Sequence, residues 1–106
     1  MAATAQLDRC IDTCQDCAKE CQNCADAMRS TEGGEKCAEV CQDCSQMCEQ
    51  CVQTMQGGSN ADCAKCADQC EACAKECEKW PQHDHCVQCA KTCRDCAEQC
   101  RRTAAA

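Results

Sequence analysis

The sequence predicts an all-α fold: an antiparallel up-down-up-down four-helix bundle with a Cys-lined core. Three observations predict it. The chain of 106 residues carries 20 cysteines in four groups of five, and each group alternates steps of three and four residues. A helix has about 3.6 residues per turn, so that alternation keeps every cysteine of a group on one face. Three short segments rich in Gly, Ser, Pro and Asn separate the groups, and short connections make successive helices antiparallel neighbours. The groups also repeat: the first maps onto the second by a constant shift, as the third does onto the fourth, and Cys17-Ala-Lys-Glu-Cys21 recurs as Cys73-Ala-Lys-Glu-Cys77.

Taken in order, the first helix is expected over about residues 4–29, carrying Cys10, Cys14, Cys17, Cys21 and Cys24. Ser30-Thr31-Glu32-Gly33-Gly34 ends it, Gly supplying the turn and Ser or Thr a cap for the second helix. That second helix, over about 35–56, carries Cys37, Cys41, Cys44, Cys48 and Cys51 and stops at Gln56-Gly57-Gly58-Ser59-Asn60. The third, over about 60–79, carries Cys63, Cys66, Cys70, Cys73 and Cys77; Pro81 disfavours its continuation from Trp80. The fourth, over about 84–103, carries Cys86, Cys89, Cys93, Cys96 and Cys100. Ala18, Ala25, Ala38, Ala67, Ala74, Ala90 and Ala97 flank the stripes and allow the helices to approach closely. Residues 1–106 read as one bundle domain.

Ordinary core material is nearly absent. Leu7, Ile11, Val40, Val52 and Val87 are the only branched aliphatic residues, and Trp80 is the only aromatic one. Thiols must therefore fill the interior. A buried Cys packs as a small hydrophobe but covers less apolar area than Leu, so the metal-free bundle is expected to be marginal and bound metal to stabilise it.

The net charge of −7 is scattered rather than clustered, which excludes the basic stripe of a nucleic-acid binder. No run approaches the roughly 18 apolar residues of a membrane span. Met1-Ala2-Ala3-Thr4-Ala5-Gln6 offers no basic, apolar or twin-arginine leader, so a reducing cytosol is the expected compartment and the cysteines are expected as thiols. No nucleophile–base–acid set or phosphate-binding glycine loop suggests an enzyme.

One C-x-x-C or C-x-x-x-C pair says little, but twenty cysteines in one helical phase point to metal. Soft thiolates suit Cu(I), Zn(II) or an iron–sulfur cluster, and charge separates these. Five Zn(Cys)4 layers would leave a charge of about −10 in the interior, where uncompensated charge costs several kcal/mol. Cu(I) at close to one per thiolate leaves almost none. The sequence therefore favours Cu(I), on the order of 15 to 20 ions per chain. Metallothionein-like Zn(II)/Cd(II) sequestration is the alternative. An iron–sulfur electron carrier is less favoured, because the C-x2-C-x2-C-x3-C-P run of bacterial ferredoxins is missing. An unmetallated structural bundle is a further option.

The stripes continue beyond the cysteines at both ends. Toward the chain termini they reach Leu7, Met55, Ser59 and Thr103, where Leu7 and Met55 can form an apolar plug. At the other end they reach Met28, Gly34, Trp80 and Gln82, beside His83 and His85. Met28, His83 and His85 are soft or borderline ligands at an end expected to be open, and they are the expected Cu(I) port, leading inward to Cys24, Cys37, Cys77 and Cys86. Met47 is expected as flank packing.

The C-x-x-x-C and C-x-x-C repeats over four helices, with the His83-Asp84-His85-Cys86 element opening the last helix, resemble the bacterial copper storage proteins from Leu7 to Arg102. The resemblance implies storage of many Cu(I) ions on the core cysteines, metal access at one end and a homotetramer of bundles. Lacking an export signal, the chain resembles the cytosolic branch of that family.

Overall fold

A computed structural model describes residues 4–106; Met1, Ala2 and Ala3, part of the segment read above for a leader, lie outside the described residues. Four helices succeed one another: α1 (Thr4–Arg29), α2 (Glu35–Gln56), α3 (Cys63–Cys77) and α4 (Asp84–Ala105). Each packs on its sequence neighbour and α4 returns to α1, closing the bundle into a rod of 46 × 19 × 17 Å.

The heptad spacing explains what faces inward. All twenty cysteines are buried, with relative exposures of 0–1%. Around them lie the flanking alanines from Ala18 to Ala97, each nearly covered. Ile11, Val40, Met47 and Trp80 pack against this core from its edge. Small side chains at the flanks let the helices close up until thiols from opposite helices meet on the axis.

The ends of the elements differ from the sequence expectation in three places. Helix α3 is shorter than residues 60–79, because Asn60–Asp62 form a turn in which the Cys63 N–H bonds the Asn60 carbonyl. Asp62 precedes α3 without capping it, since its carboxylate accepts from the Thr54 hydroxyl at 2.6 Å. Helix α4 runs on to Ala105. No Ser or Thr side chain caps α2 either: Gly34 stands at its start, and the Thr31 hydroxyl bonds back to the Ala27 carbonyl, closing α1 instead.

Among the described residues, charge is confined to the surface with one exception. Among the described residues the only buried polar or charged side chains are Ser45, Glu76 and Thr103. Ser45 donates to the Ala18 carbonyl at 3.0 Å, joining α2 to α1. Glu76 meets Lys79 at 3.1 Å and Lys36 at 3.8 Å, joining α3 to the start of α2. No helix among the described residues is long and apolar enough to cross a membrane.

Candidate metal centre

The cysteine sulfurs form one continuous lattice along the axis. Near the His end, Cys24 lies 3.6 Å from Cys86 and 3.9 Å from Cys77, and Cys77 lies 3.6 Å from Cys41. Further in, Cys21 approaches Cys93 at 3.5 Å and Cys89 at 3.8 Å, while Cys73 approaches Cys41 at 3.7 Å. At mid-rod, Cys17 meets Cys93 at 3.7 Å and Cys70 at 4.0 Å; Cys70 also meets Cys44 and Cys48, both at 3.8 Å. Toward the termini come Cys48–Cys66 at 3.8 Å, Cys14–Cys96 and Cys14–Cys100 at 3.6 Å, Cys10–Cys100 at 3.8 Å and Cys51–Cys63 at 3.7 Å. All twenty thiols are free.

Within the lattice, groups of four sulfurs lie within 4.8 Å of one another. Cys24, Cys37, Cys77 and Cys86 form the group nearest the histidines; Cys14, Cys51, Cys66 and Cys100 form one toward the termini. The groups are not separate cages. Cys17, Cys21, Cys44 and Cys93 form a group whose members also belong to the sets Cys17, Cys44, Cys48, Cys70 and Cys21, Cys73, Cys89, Cys93. A sulfur shared by two groups is placed to bridge two metals.

Protonation tracks the same contacts. Burial pushes the Cys37 and Cys63 thiols up from their usual 9.0. Cys10 is pushed up to about 12, first because its S–H is held by Cys100. Its partner Cys100 is lowered to about 2 by the thiols that donate to it, Cys10 first and then Cys14. The same division recurs inside: Cys44 is raised, Cys17 foremost among the causes, and Cys17 is lowered, with Cys21 foremost. The S–H contacts thus divide the protons unevenly between neighbouring thiols of the lattice. Filling the lattice with metal must expel those protons.

The two ends are built differently. Toward the termini, Leu7, Met55 and Thr103 are buried. The Gln6 amide donates to the Thr103 hydroxyl at 2.9 Å, and the Asn60 amide donates to the Thr103 carbonyl at 2.8 Å. Ser59, expected in this layer, is exposed and instead accepts from the Ala61 N–H. Asn60 takes its place in the seal.

At the other end Met28 is fully buried, its Sδ 3.2 Å from His85 Nε2 and 3.4 Å from the Cys86 sulfur, which donates to it. His83 stands one ring further out, its centroid 5.2 Å from that of His85. Met28 and His85 are therefore brought together directly on the outermost thiols, and His83 is not. Gln82 is exposed and takes no part. This end was expected to be open; it is shut. Gly34 packs so closely that a Cβ on it would fall 2.5 Å from the Met28 carbonyl oxygen and 3.1 Å from the Met28 methyl.

Comparison with known proteins agrees with this geometry. The family model described as copper storage protein matches residues 3–105. The chain belongs to the copper storage protein family. A Cu(I)-bound copper storage protein of the Csp3 type shares 41% identity, with 93% of this chain and 98% of that one covered at a TM-score of 0.87. The apo form of copper storage protein 3 from Bacillus subtilis shares 42% identity over 92% and 97% of the two chains, at a TM-score of 0.84. A cytosolic copper storage protein from Streptomyces lividans, holding five coppers, shares 31% identity over 97% and 95%, at a TM-score of 0.90. No curated protein matches the sequence significantly. In this member of the copper storage family the donors are overwhelmingly soft, which suits Cu(I). Glu76 and Asn60 were missed in the sequence because neither lies on a cysteine stripe; Glu76 is adjacent to Cys77, and only packing reveals that its carboxylate is covered.

Proposed function

We propose that this chain stores and buffers Cu(I) in the cytosol on the thiolates of its twenty core cysteines, with Met28, His83 and His85 marking the end through which the metal passes. The observation that carries the reading is the shared-sulfur lattice: twenty free buried thiols, all but Cys37 lying 3.5–4.0 Å from another cysteine sulfur, with no lysine or arginine among the described buried residues. Overlapping groups of four favour bridging thiolates over isolated tetrahedral sites. Cu(I) on bridging thiolates replaces one proton per thiol and leaves the interior close to neutral, whereas isolated Zn(Cys)4 sites would each leave a charge of about −2.

Each uptake step exchanges a thiol proton for Cu(I), so no electron changes hands. His85 and Met28 present a nitrogen and a thioether side by side at the outermost thiol, a graded set of ligands for handing a soft cation inward. Catalysis is no part of this reading. The cytosolic assignment rests on the Streptomyces lividans neighbour, and a homotetramer on the family resemblance. Anaerobic titration of the fully reduced protein with Cu(I), against a chromogenic chelator, is expected to saturate at about 15 to 20 ions per chain. Saturation at about five, or equal retention of Zn(II) in competition, would overturn it.

A further inference from the structure

We propose that Trp80 is the gate of the Met28 end: it holds the α1–α2 loop down over Met28 and so sets the rate at which Cu(I) enters and leaves the core. The proposal rests on the reading that metal passes at this end. In the structure that passage is covered, since Met28, Cys24 and Cys86 have no exposed surface and Cys37 has 1%. The cover over Met28 is the backbone of the α1–α2 loop, pressed against it at Gly34. Something must lift for a cation to reach the thioether.

The loop is held to the rest of this end by very little. Its hydrogen bonds are local: Ser30 N–H to the Ala27 carbonyl, Thr31 N–H to the Met28 carbonyl and Gly34 N–H to the Thr31 carbonyl. Among the described residues no hydrogen bond joins residues 30–34 to residues 78–83. The loop carries no apolar side chain of its own, being Ser-Thr-Glu-Gly-Gly. What meets it from across the mouth is the edge of the Trp80 indole: a Cβ on Gly33 would sit 3.9 Å from Trp80 Cη2. Gly33 has φ of 77°, a conformation that side chains rarely adopt.

Trp80 itself is firmly placed. Its N–H bonds the Cys77 carbonyl at 3.0 Å, and its carbonyl accepts from the His83 N–H at 3.1 Å. The indole lies 5.6 Å from the His83 ring at 49°, within aromatic contact range, and His83 in turn adjoins His85. A row of three rings thus runs from the Met28 sulfur to the loop that covers it. Opening the mouth means drawing Gly33 away from the indole edge that faces it, the one group within 4 Å of where a Cβ on Gly33 would stand.

The test compares Trp80→Ala, Trp80→Phe and wild type in anaerobic stopped-flow, loading from a Cu(I)–bicinchoninate complex and unloading into excess bathocuproine. Trp80→Ala is expected to load and unload about three- to tenfold faster at unchanged capacity, and Trp80→Phe to stay within about twofold of wild type. Rates for Trp80→Ala that are unchanged or slower at full capacity overturn the gate. A Met28→Ala/His83→Ala/His85→Ala variant is run beside them. If it loads like wild type, the passage reading itself fails and takes the gate with it; if it is slowed while Trp80→Ala is unchanged, only the gate fails. Should Trp80→Ala not fold, the emission of wild-type Trp80, the sole aromatic fluorophore, decides the matter. A change no slower than the first metal uptake supports the gate; constant emission through uptake overturns it.

Discussion

The Met28 thioether accepts the Cys86 S–H at 3.4 Å, so the one non-cysteine sulfur at this end is in direct contact with the thiolate lattice. That contact sets the Met28 sulfur directly beside the outermost core thiol. Met28→Leu keeps volume and apolarity but removes the sulfur. We expect it to fold normally, retain capacity to within about one ion, and load about tenfold more slowly, read as transfer from a coloured Cu(I) complex. Unaltered loading would assign Met28 to packing alone.

Cys44 lies among Cys17, Cys48 and Cys70 at mid-rod, the four sulfurs within 4.8 Å of one another. Serine is close to cysteine in shape, yet its hydroxyl requires a hydrogen-bond partner that weakly accepting sulfur does not supply. In the metal-free protein, Cys44→Ser is expected to destabilise by about 1–2 kcal/mol, and by more than Cys44→Ala, in urea unfolding. Both should lower Cu(I) capacity by a similar small amount, because both remove the same bridging sulfur. A serine variant as stable as wild type would mean the lattice tolerates hydroxyls, and with them water.

How much of this was legible in the sequence depends on what kind of information each feature carries. The inward direction of Cys10 through Cys100 comes from spacing alone, since steps of three and four admit one helical face. The exclusion of Ser59 and Gln82 from the end layers did not, because both lie past the last helical turn, where heptad phase no longer fixes direction. The shut mouth was hidden for a related reason. Small residues such as Gly33 and Gly34 read as openness, but in the fold their lack of side chains lets backbone settle onto Met28. Trp80 was visible as a residue and invisible as a neighbour of Gly33, which lies in a loop far along the chain.

Glu76 predicts a modest, salt-sensitive role. Its side chain is 10% exposed, while Lys36 and Lys79 are 75% and 61% exposed. Solvent screens two such exposed partners strongly, so the pair cannot contribute much. Glu76→Gln is expected to cost under about 1 kcal/mol in urea, with the loss shrinking at high salt. A larger loss would show that Glu76 clamps α3 to α2 at the mouth more tightly than its partners' exposure implies.

Alkaline pH should separate the empty bundle from the filled one. The folded-state pKa values of Cys37 and Cys63 are raised by burial, and that of Cys10 to about 12, from an unfolded value of 9.0. A thiol with a raised folded pKa contributes stability that is fully present below the unfolded value, because both states are then protonated. As pH rises from 9.0 toward about 12, the unfolded chain sheds protons that the fold retains, and stability falls. The reduced apoprotein is therefore expected to lose thermal stability over that window, read by circular dichroism. In the Cu(I)-loaded protein these sulfurs have already exchanged their protons for metal, so its melting temperature should stay flat over the same range. If the apoprotein proves equally indifferent, the interior thiols are not held as buried neutral groups, and proton release cannot accompany loading.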